Sequence, residues 1–147
     1  MTATHDFGDG SGPVPAHRHV NGGGWVADSA IVYASAYVGP DARVFDGAWI
    51  CDNARVSGNA EVYGNAKVYG NALVYGDSSV SGRASVYGNA LVYGRARVFE
   101  DAWICDNAWV SGNARVSGNA WVYGNAQVSG NARVFDDARV FEGEVNK

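Results

Sequence analysis

Arginine is the residue type in this chain whose spacing points most directly to binding chemistry. Arg97, Arg115 and Arg133 lie 18 residues apart, and Arg43 lies three such intervals before Arg97. A guanidinium group is planar and can donate two hydrogen bonds at once to a phosphate or a carboxylate. A structure that repeats at the same interval would stack these side chains in one column. The pattern therefore predicts an arginine ladder for anions, with Arg95 nearby at a corner.

Aromatic and polar residues near the ladder are candidates for contacting the rest of a ligand. They are Tyr93, Trp103, Trp109, Trp121, Asp106 and Asn107. Because aromatic faces stack on planar rings and arginine binds phosphate, this set favours a small anionic aromatic ligand such as a nucleotide. The alternative is that the arginines are solvated strand residues that pair with acidic corners.

Acidic residues occupy several positions where the rest of the chain has Gly or Asn. They are Asp46, Asp52, Glu100, Asp101, Asp106, Asp136 and Asp137. One interpretation is a ligand or metal site beside Trp49 and Trp103. The favoured alternative is a turn role, because Asp hydrogen-bonds its own backbone in turns much as Asn does.

Histidine is confined to the segment 1–24, at His5, His17 and His19. The spacing of His17 and His19 puts two imidazoles on one side of an extended segment. A threefold axis would then gather six of them, enough for an octahedral transition metal. The arrangement is similar to the metal-bound tips of trimeric bacteriophage spike proteins. The favoured alternative is a flexible cap with no metal or other cofactor.

A six-residue period supplies the elements that must position these side chains. Val recurs at every sixth position from Val26 to Val140, and Ile50 and Ile104 are the only other residues at this anchor position. A small residue, usually Ala, lies two residues before each anchor, and a strand places the two on one face. Gly and Asn follow and suit a tight corner, because both tolerate positive φ. Each hexad is therefore predicted to be a short strand that stacks on its copies in a solenoid.

The consensus Asn-Ala-x-Val-Tyr-Gly, over residues 25–143, resembles the hexapeptide-repeat proteins. The resemblance implies an all-β, left-handed parallel β-helix with triangular coils of 18 residues, here about 6.7 coils. It also implies acyl transfer, although residues 25–143 lack the histidine that such enzymes use as a general base. The consensus looks like that of a group of bacterial and bacteriophage hexapeptide-repeat proteins often labelled as transferases. An irregular leader at 1–24 and a tail at 144–147 are expected to flank the β-helix.

Sorting the anchors by this coil length assigns each strand to one of three faces. The first face carries the arginine ladder, whereas the second and third carry apolar residues such as Trp103, Leu73 and Leu91. Contiguous exposed apolar surface usually marks an interface, and closed symmetry is the common way to bury it. We therefore expect a homotrimer that uses the second and third faces, with ligand grooves between protomers.

A longer duplication relates residues 42–60 to residues 96–114. The two copies are offset by three whole coils, so Cys51 and Cys105 fall in one column. Three strand spacings separate them by about 14 Å, which is too far for a disulfide. We expect two reduced thiols.

Composition and charge limit the class of protein. Ala, Val, Gly and Asn make up 75 of the 147 residues, and the net charge is −4. The acidic balance disfavours long nucleic acid and anionic membranes as partners. No apolar run approaches the roughly 18 residues of a membrane span, and no signal peptide is recognisable. The expected location is the cytoplasm, that of a bacterial host if the protein is encoded by a bacteriophage.

These observations favour a non-enzymatic homotrimer that binds a small anionic, nucleotide-like ligand between its protomers. The resemblance to bacteriophage proteins extends this expectation to the sequestration of a nucleotide signal. Two alternatives remain open at this point. One is an acyltransferase of the hexapeptide-repeat type, and the other is a structural rod or spike component with a metal-bound tip at His17 and His19.

Overall fold

Short β-strands form the regular structure of the chain. The computed structural model describes residues 3–146, which contain strands numbered β1 to β23 along the chain. They lie in three sheets. The first sheet contains β1 (Thr4–Asp6), β2 (Pro13–Arg18), β3 (Trp25–Ala27), β6 (Arg43–Val44), β9 (Glu61–Val62), β12 (Ser79–Val80), β15 (Arg97–Val98), β18 (Arg115–Val116) and β21 (Arg133–Val134).

The other two sheets are built only from repeat strands. The second contains β4 (Ile31–Val32), β7 (Trp49–Ile50), β10 (Lys67–Val68), β13 (Ser85–Val86), β16 (Trp103–Ile104), β19 (Trp121–Val122) and β22 (Arg139–Val140). The third contains β5 (Tyr37–Val38), β8 (Arg55–Val56), β11 (Leu73–Val74), β14 (Leu91–Val92), β17 (Trp109–Val110), β20 (Gln127–Val128) and β23 (Glu144–Val145). Over the described range, no helix is long and apolar enough to cross a membrane.

Each coil pairs in register with the next through parallel strands. Arg97 pairs with Arg115, and Val98 pairs with Val116, an offset of 18 residues. The same offset recurs across all three sheets and gives a solenoid of about seven turns. The predicted parallel β-solenoid, with coils of the predicted length, is therefore confirmed, as is the assignment of the anchors to three faces.

The interior is a single column of small and β-branched side chains. The anchors from Val38 to Val128 and the Ala residues two positions before them are almost all fully buried. Ser78 replaces Ala in the middle of the column, and its Oγ donates a hydrogen bond to the Tyr75 carbonyl at 2.7 Å. The narrow interior accepts one larger residue per strand, which explains the abundance of Ala.

Backbone geometry explains the residue types at the corners. Gly88 has a φ of 67°, and a Cβ there would lie 2.9 Å from the backbone nitrogen of Asp106 in the next coil. Asp106 itself has a φ of 57°. Glycine avoids this crowding, whereas an acidic residue that takes the same place must compensate for left-handed backbone.

The N-terminal segment is more regular than the sequence predicts. Instead of an irregular leader, β1 and β2 form an antiparallel hairpin, and β2 continues antiparallel onto β3. Phe7 is buried and stacks on Phe45, with ring centroids 4.8 Å apart. This apolar contact with the second coil packs the segment against the β-solenoid as an extension of the first sheet.

The C-terminal coil is shorter than the others by a single position. Gln127 pairs with Glu144 and Val128 with Val145, whereas the regular offset would place Val145 opposite Gln127. The last hexad, which follows Val140, has therefore lost one position. Strand pairing nevertheless extends to Glu144 and Val145, beyond the predicted boundary of the β-helix at residue 143.

Candidate functional site

The arginine ladder lies on the outer surface of the first sheet, but Arg43 is separated from it. The Arg43 Nη2 atom lies 3.1 Å from Glu61 Oε1, and its Nη1 donates a hydrogen bond to the Phe7 carbonyl at 3.0 Å. Arg43 therefore fastens the hairpin to the first coils. Glu61 and Ser79 occupy the next two positions of the column.

Arg97, Arg115 and Arg133 form the remaining ladder. They are exposed and pair in register on consecutive strands. No carboxylate in the described part of the chain lies within salt-bridge distance of them. Like charges directly opposite one another on adjacent strands repel, so an anion placed across these guanidinium groups would relieve that repulsion.

A second column on the same sheet alternates between aromatic and small side chains. At its start, Phe45 and Tyr63 stack with ring centroids 4.9 Å apart. The following positions are Ser81, Phe99, Ser117 and Phe135. Each serine therefore leaves an aromatic column without a ring at one coil. The gap lies between Tyr63 and Phe99 in one case and between Phe99 and Phe135 in the other.

Each gap opens into a recess beside the arginines. The Ser81 recess has a volume of about 400 Å³, and its lining consists of Glu61, Tyr63, Ser79, Ser81, Arg97, Phe99 and Arg115. The Ser117 recess has a volume of about 390 Å³, and its lining consists of Phe99, Glu100, Arg115, Ser117, Gly118, Arg133, Phe135 and Asp136. Both recesses are open to solvent on their outer side. Phe99 and Arg115 belong to both recesses.

The chemistry of the two recesses is that of a binding surface. The aromatic side chains present faces for stacking, and the guanidinium groups donate hydrogen bonds. Serine hydroxyls at the floor donate or accept. Glu61 is paired with Arg43, while Glu100 and Asp136 line one side of the Ser117 recess. An anionic group would therefore be attracted to the arginine side of a recess, and a hydrogen-bond donor to the acidic corner.

A single chain does not bring the other predicted site residues to these arginines. Trp103 and Trp121 lie on the second sheet, where their rings stack 4.9 Å apart. Tyr93 and Trp109 lie at the third sheet, with ring centroids 6.4 Å apart. Arg95 is an exposed corner residue that lines neither recess. The grouping inferred from sequence would therefore require a second protomer.

The corner between β16 and β17 supports the turn role of the acidic residues. The Asp106 carboxylate accepts a hydrogen bond from the Gly124 backbone N–H at 3.0 Å. Asp46 and Asp52 accept equivalent bonds from Gly64 and Gly70. Asn107 accepts from the side-chain amide of Asn89 at 3.4 Å. These contacts link successive coils and compensate for the left-handed backbone.

The structure separates the two histidines that predict a metal site. His17 is exposed and lies 2.7 Å from the Asp28 carboxylate through Nδ1, whereas His19 is buried with its Nε2 2.8 Å from the Ala36 carbonyl. Among the described residues, no cluster of three or more His, Cys, Asp or Glu is placed to hold a metal. In one chain, each imidazole has a structural partner and the pair does not converge.

The sequence did not single out several residues that line the recesses, among them Tyr63, Ser81, Phe99, Ser117 and Phe135. Ser81 and Ser117 look like ordinary polar strand residues, and Phe99 and Phe135 look like members of the aromatic consensus. The available signal was the alternation of serine with aromatic residues from one coil to the next. That signal acquires meaning only when the stacking of consecutive coils is considered.

Comparison with known proteins supports the fold. The family model described as YdcK Beta solenoid repeat matches residues 48–64, 66–82, 108–124 and 126–143, a little under half of the chain. The comparisons with curated proteins and with solved structures found no significant match. The matched description names a repeat structure and no activity. Together with the parallel pairing of the repeat strands in all three sheets, it identifies this chain as a β-solenoid repeat protein.

Proposed function

We propose that this chain is a non-enzymatic binding protein that holds a small anionic aromatic ligand of the nucleotide class. The observation that carries the proposal is the position of three in-register arginines beside two recesses walled by aromatic rings. In this arrangement a planar base stacks in a gap of the aromatic column. Its phosphate then reaches Arg97, Arg115 or Arg133.

The second and third sheets are assigned to assembly into a homotrimer. Trp49, Trp103 and Trp109 are 44%, 39% and 43% exposed, large values for tryptophan on a flat sheet surface. Leu73 and Leu91 lie in register on the third sheet and extend the apolar surface. Contiguous apolar surface of this kind is typical of interfaces.

This assembly changes where the ligand is expected to bind. The sequence favours grooves between protomers, whereas the two recesses are complete within one chain. A trimer closed through the second and third sheets leaves the first sheet facing outwards. The proposal therefore assigns the ladder and recesses to the ligand, and Trp103, Trp109 and Trp121 to the interface.

Binding without turnover suits the sequestration of a nucleotide signal. The resemblance to bacteriophage proteins supports this role, because a protein that only has to retain a ligand needs donors and stacking surfaces rather than a general base. In the recesses, Arg115 supplies hydrogen-bond donors and Phe99 supplies a stacking surface.

Calorimetry with AMP tests the proposed binding. AMP is expected to bind wild-type protein, and Arg115→Ala is expected to weaken binding by roughly tenfold or more, because a hydrogen bond to a charged group contributes about 1.5 to 3 kcal/mol. Arg55→Ala, which removes an arginine from the third sheet, is the matched control and should retain wild-type affinity. Absence of AMP binding to the wild type, or equal loss in both variants, would refute the assignment of the site.

A further inference from the structure

The two recesses share one wall and one cation. Phe99 separates the Ser81 recess from the Ser117 recess, and Arg115 lines both of them. Ser81 and Ser117 lie two coils apart, which corresponds to about 9.6 Å at the spacing of neighbouring strands. The site therefore has two positions for planar rings, one on each side of a phenyl ring, with a guanidinium group common to both.

We infer that the ligand is a dinucleotide that places one base in each recess. This inference rests on the proposed function and specifies its ligand class. Phe99 lies between the two bases, as apolar side chains do when they wedge into a base step. The phosphate that joins the nucleosides lies against Arg115, the only arginine shared by the recesses.

The flanking arginines fit the same arrangement. Arg97 lines only the Ser81 recess and Arg133 only the Ser117 recess. Each is therefore placed for a terminal phosphate or a ribose hydroxyl at one end of the ligand. The carboxylates of Glu100 and Asp136 are acceptors for ribose hydroxyls or exocyclic amino groups at the corner of the Ser117 recess.

The length of the ligand is limited at both ends of the aromatic column. Above Tyr63, Phe45 fills the next position and Phe7 of the hairpin stacks on it. Below, Phe135 follows β21, the last strand of the first sheet. Two recesses therefore accommodate two bases and not a continuing strand, and the net charge of −4 also disfavours long nucleic acid.

Bivalent binding predicts a large difference in affinity between one nucleotide and two. Linking two groups that bind adjacent sites makes the second contact intramolecular, which raises affinity by roughly 10² to 10⁴. We therefore expect the dinucleotide to bind at least about 100-fold more tightly than the mononucleotide.

Calorimetry with AMP and with the linear dinucleotide pApA tests the inference on the full chain. Wild-type protein should bind two AMP molecules or one pApA per chain. Ser81→Phe or Ser117→Phe fills one gap, so AMP stoichiometry should fall to one and pApA affinity should fall to that of AMP. Ser129→Phe makes the same change on the third sheet and should preserve both wild-type results. Ser81→Tyr, which restores the residue most frequent at this position of the repeat, provides a second variant that is compatible with the fold.

The outcomes separate this inference from the proposed function. If AMP binds with a stoichiometry of two but pApA binds no more tightly, the dinucleotide assignment is overturned and the proposed function stands. If pApA retains its full affinity in folded Ser81→Phe and Ser117→Phe proteins, the recesses are not the sites of the bases. If neither compound binds the wild type, the proposed function fails as well.

Discussion

On the first sheet, the residue that follows each anchor determines whether a coil continues the aromatic column or leaves a recess in it. Phe45 and Tyr63 continue one aromatic column, whereas Ser81 interrupts it and exposes the neighbouring ring of Phe99. The backbone is the same in both cases, because the register of the strands is unchanged. In the proposed function, recognition is therefore encoded at exposed strand positions, while the buried anchors and alanines maintain the scaffold.

The thiols provide a prediction at the same scale. Burial raises the pKa of Cys51, and Asp52 raises it further. Burial also raises the pKa of Cys105, where a hydrogen bond with Tyr87 opposes this effect and Asp106 adds to it. A raised pKa lowers the thiolate fraction at any pH below it, and alkylation proceeds through the thiolate. Both cysteines should therefore react with iodoacetamide several-fold more slowly at pH 8 than in urea-unfolded protein, with rates still rising above pH 9.

Lys67 distinguishes the two cysteines. Its charge opposes the effect of burial by lowering the pKa of Cys51, and it is not among the groups that shift the pKa of Cys105. Lys67→Ala should slow alkylation of Cys51 and leave Cys105 unchanged, as followed by mass spectrometry of the modified peptides. Equal alkylation rates in the folded and the unfolded protein would contradict the raised pKa values of the two thiols, and an unchanged Cys51 rate in Lys67→Ala would contradict the role of Lys67.

At the scale of the element, the corners between strands require a residue with positive φ, and either glycine or an acidic residue supplies it. Gly112 has a φ of 64°, and a Cβ there would lie 2.8 Å from the Gly130 nitrogen. Asp106 occupies an equivalent corner with a Cβ, and its carboxylate accepts a hydrogen bond from the Gly124 N–H in the next coil. The carboxylate therefore offsets a conformational cost that alanine would leave uncompensated.

Two substitutions at position 112 test this explanation. Gly112→Ala should lower the free energy of unfolding by about 1 to 2 kcal/mol, the cost of left-handed backbone for a residue with a Cβ. Gly112→Asp should be less destabilising by about 1 kcal/mol, because its carboxylate can accept from the Gly130 N–H. Urea unfolding gives both values. The account is wrong if aspartate is as destabilising as alanine.

The repeat strands were predictable from sequence, whereas the hairpin and the recesses were not. The period from Val26 to Val140 dictates strand, register and face, because each step repeats the same local constraints. The hairpin of residues 4–18 packs through long-range contacts such as that between Phe7 and Phe45, which no local pattern specifies. The recesses arise because Ser81 and Ser117 have small side chains where other coils have aromatic rings. A small polar side chain in a strand does not by itself indicate a binding site.

The grouping of the predicted site residues shows the same limit. Arg97, Arg115 and Arg133 fall in one column, as their regular spacing predicts. Trp103 and Trp109 lie on different sheets, so their association with the arginines depends on a second chain rather than on the repeat. A sequence period establishes neighbours within a solenoid but does not specify how two solenoids meet.

At the scale of the whole molecule, the three sheets present different surfaces. Among the described residues, the first carries the unpaired arginines, while the second and third carry exposed tryptophans. Two cations on these sheets lie over aromatic rings. Lys67 Nζ lies 5.3 Å from the ring centroid of Trp49, and the Arg55 guanidinium carbon lies 4.6 Å from the ring centroid of Tyr37. On the second and third sheets the cations therefore cover aromatic rings, whereas the first sheet presents a column of arginines, an arrangement compatible with the proposed trimer.

The oligomeric state tests this division directly. Wild-type protein should have about three times the 15.5 kDa mass of the chain by light scattering. Trp103→Glu on the second sheet and Trp109→Glu on the third should each shift the mass towards that of one chain, because burying an unpaired carboxylate in an apolar interface is unfavourable. Arg97→Glu makes a comparable change on the first sheet and should remain trimeric. A monomeric wild type, or trimers that persist in both tryptophan variants, would show that these sheets do not form the interface. A monomer would still be expected to bind AMP, because each recess is complete within one chain.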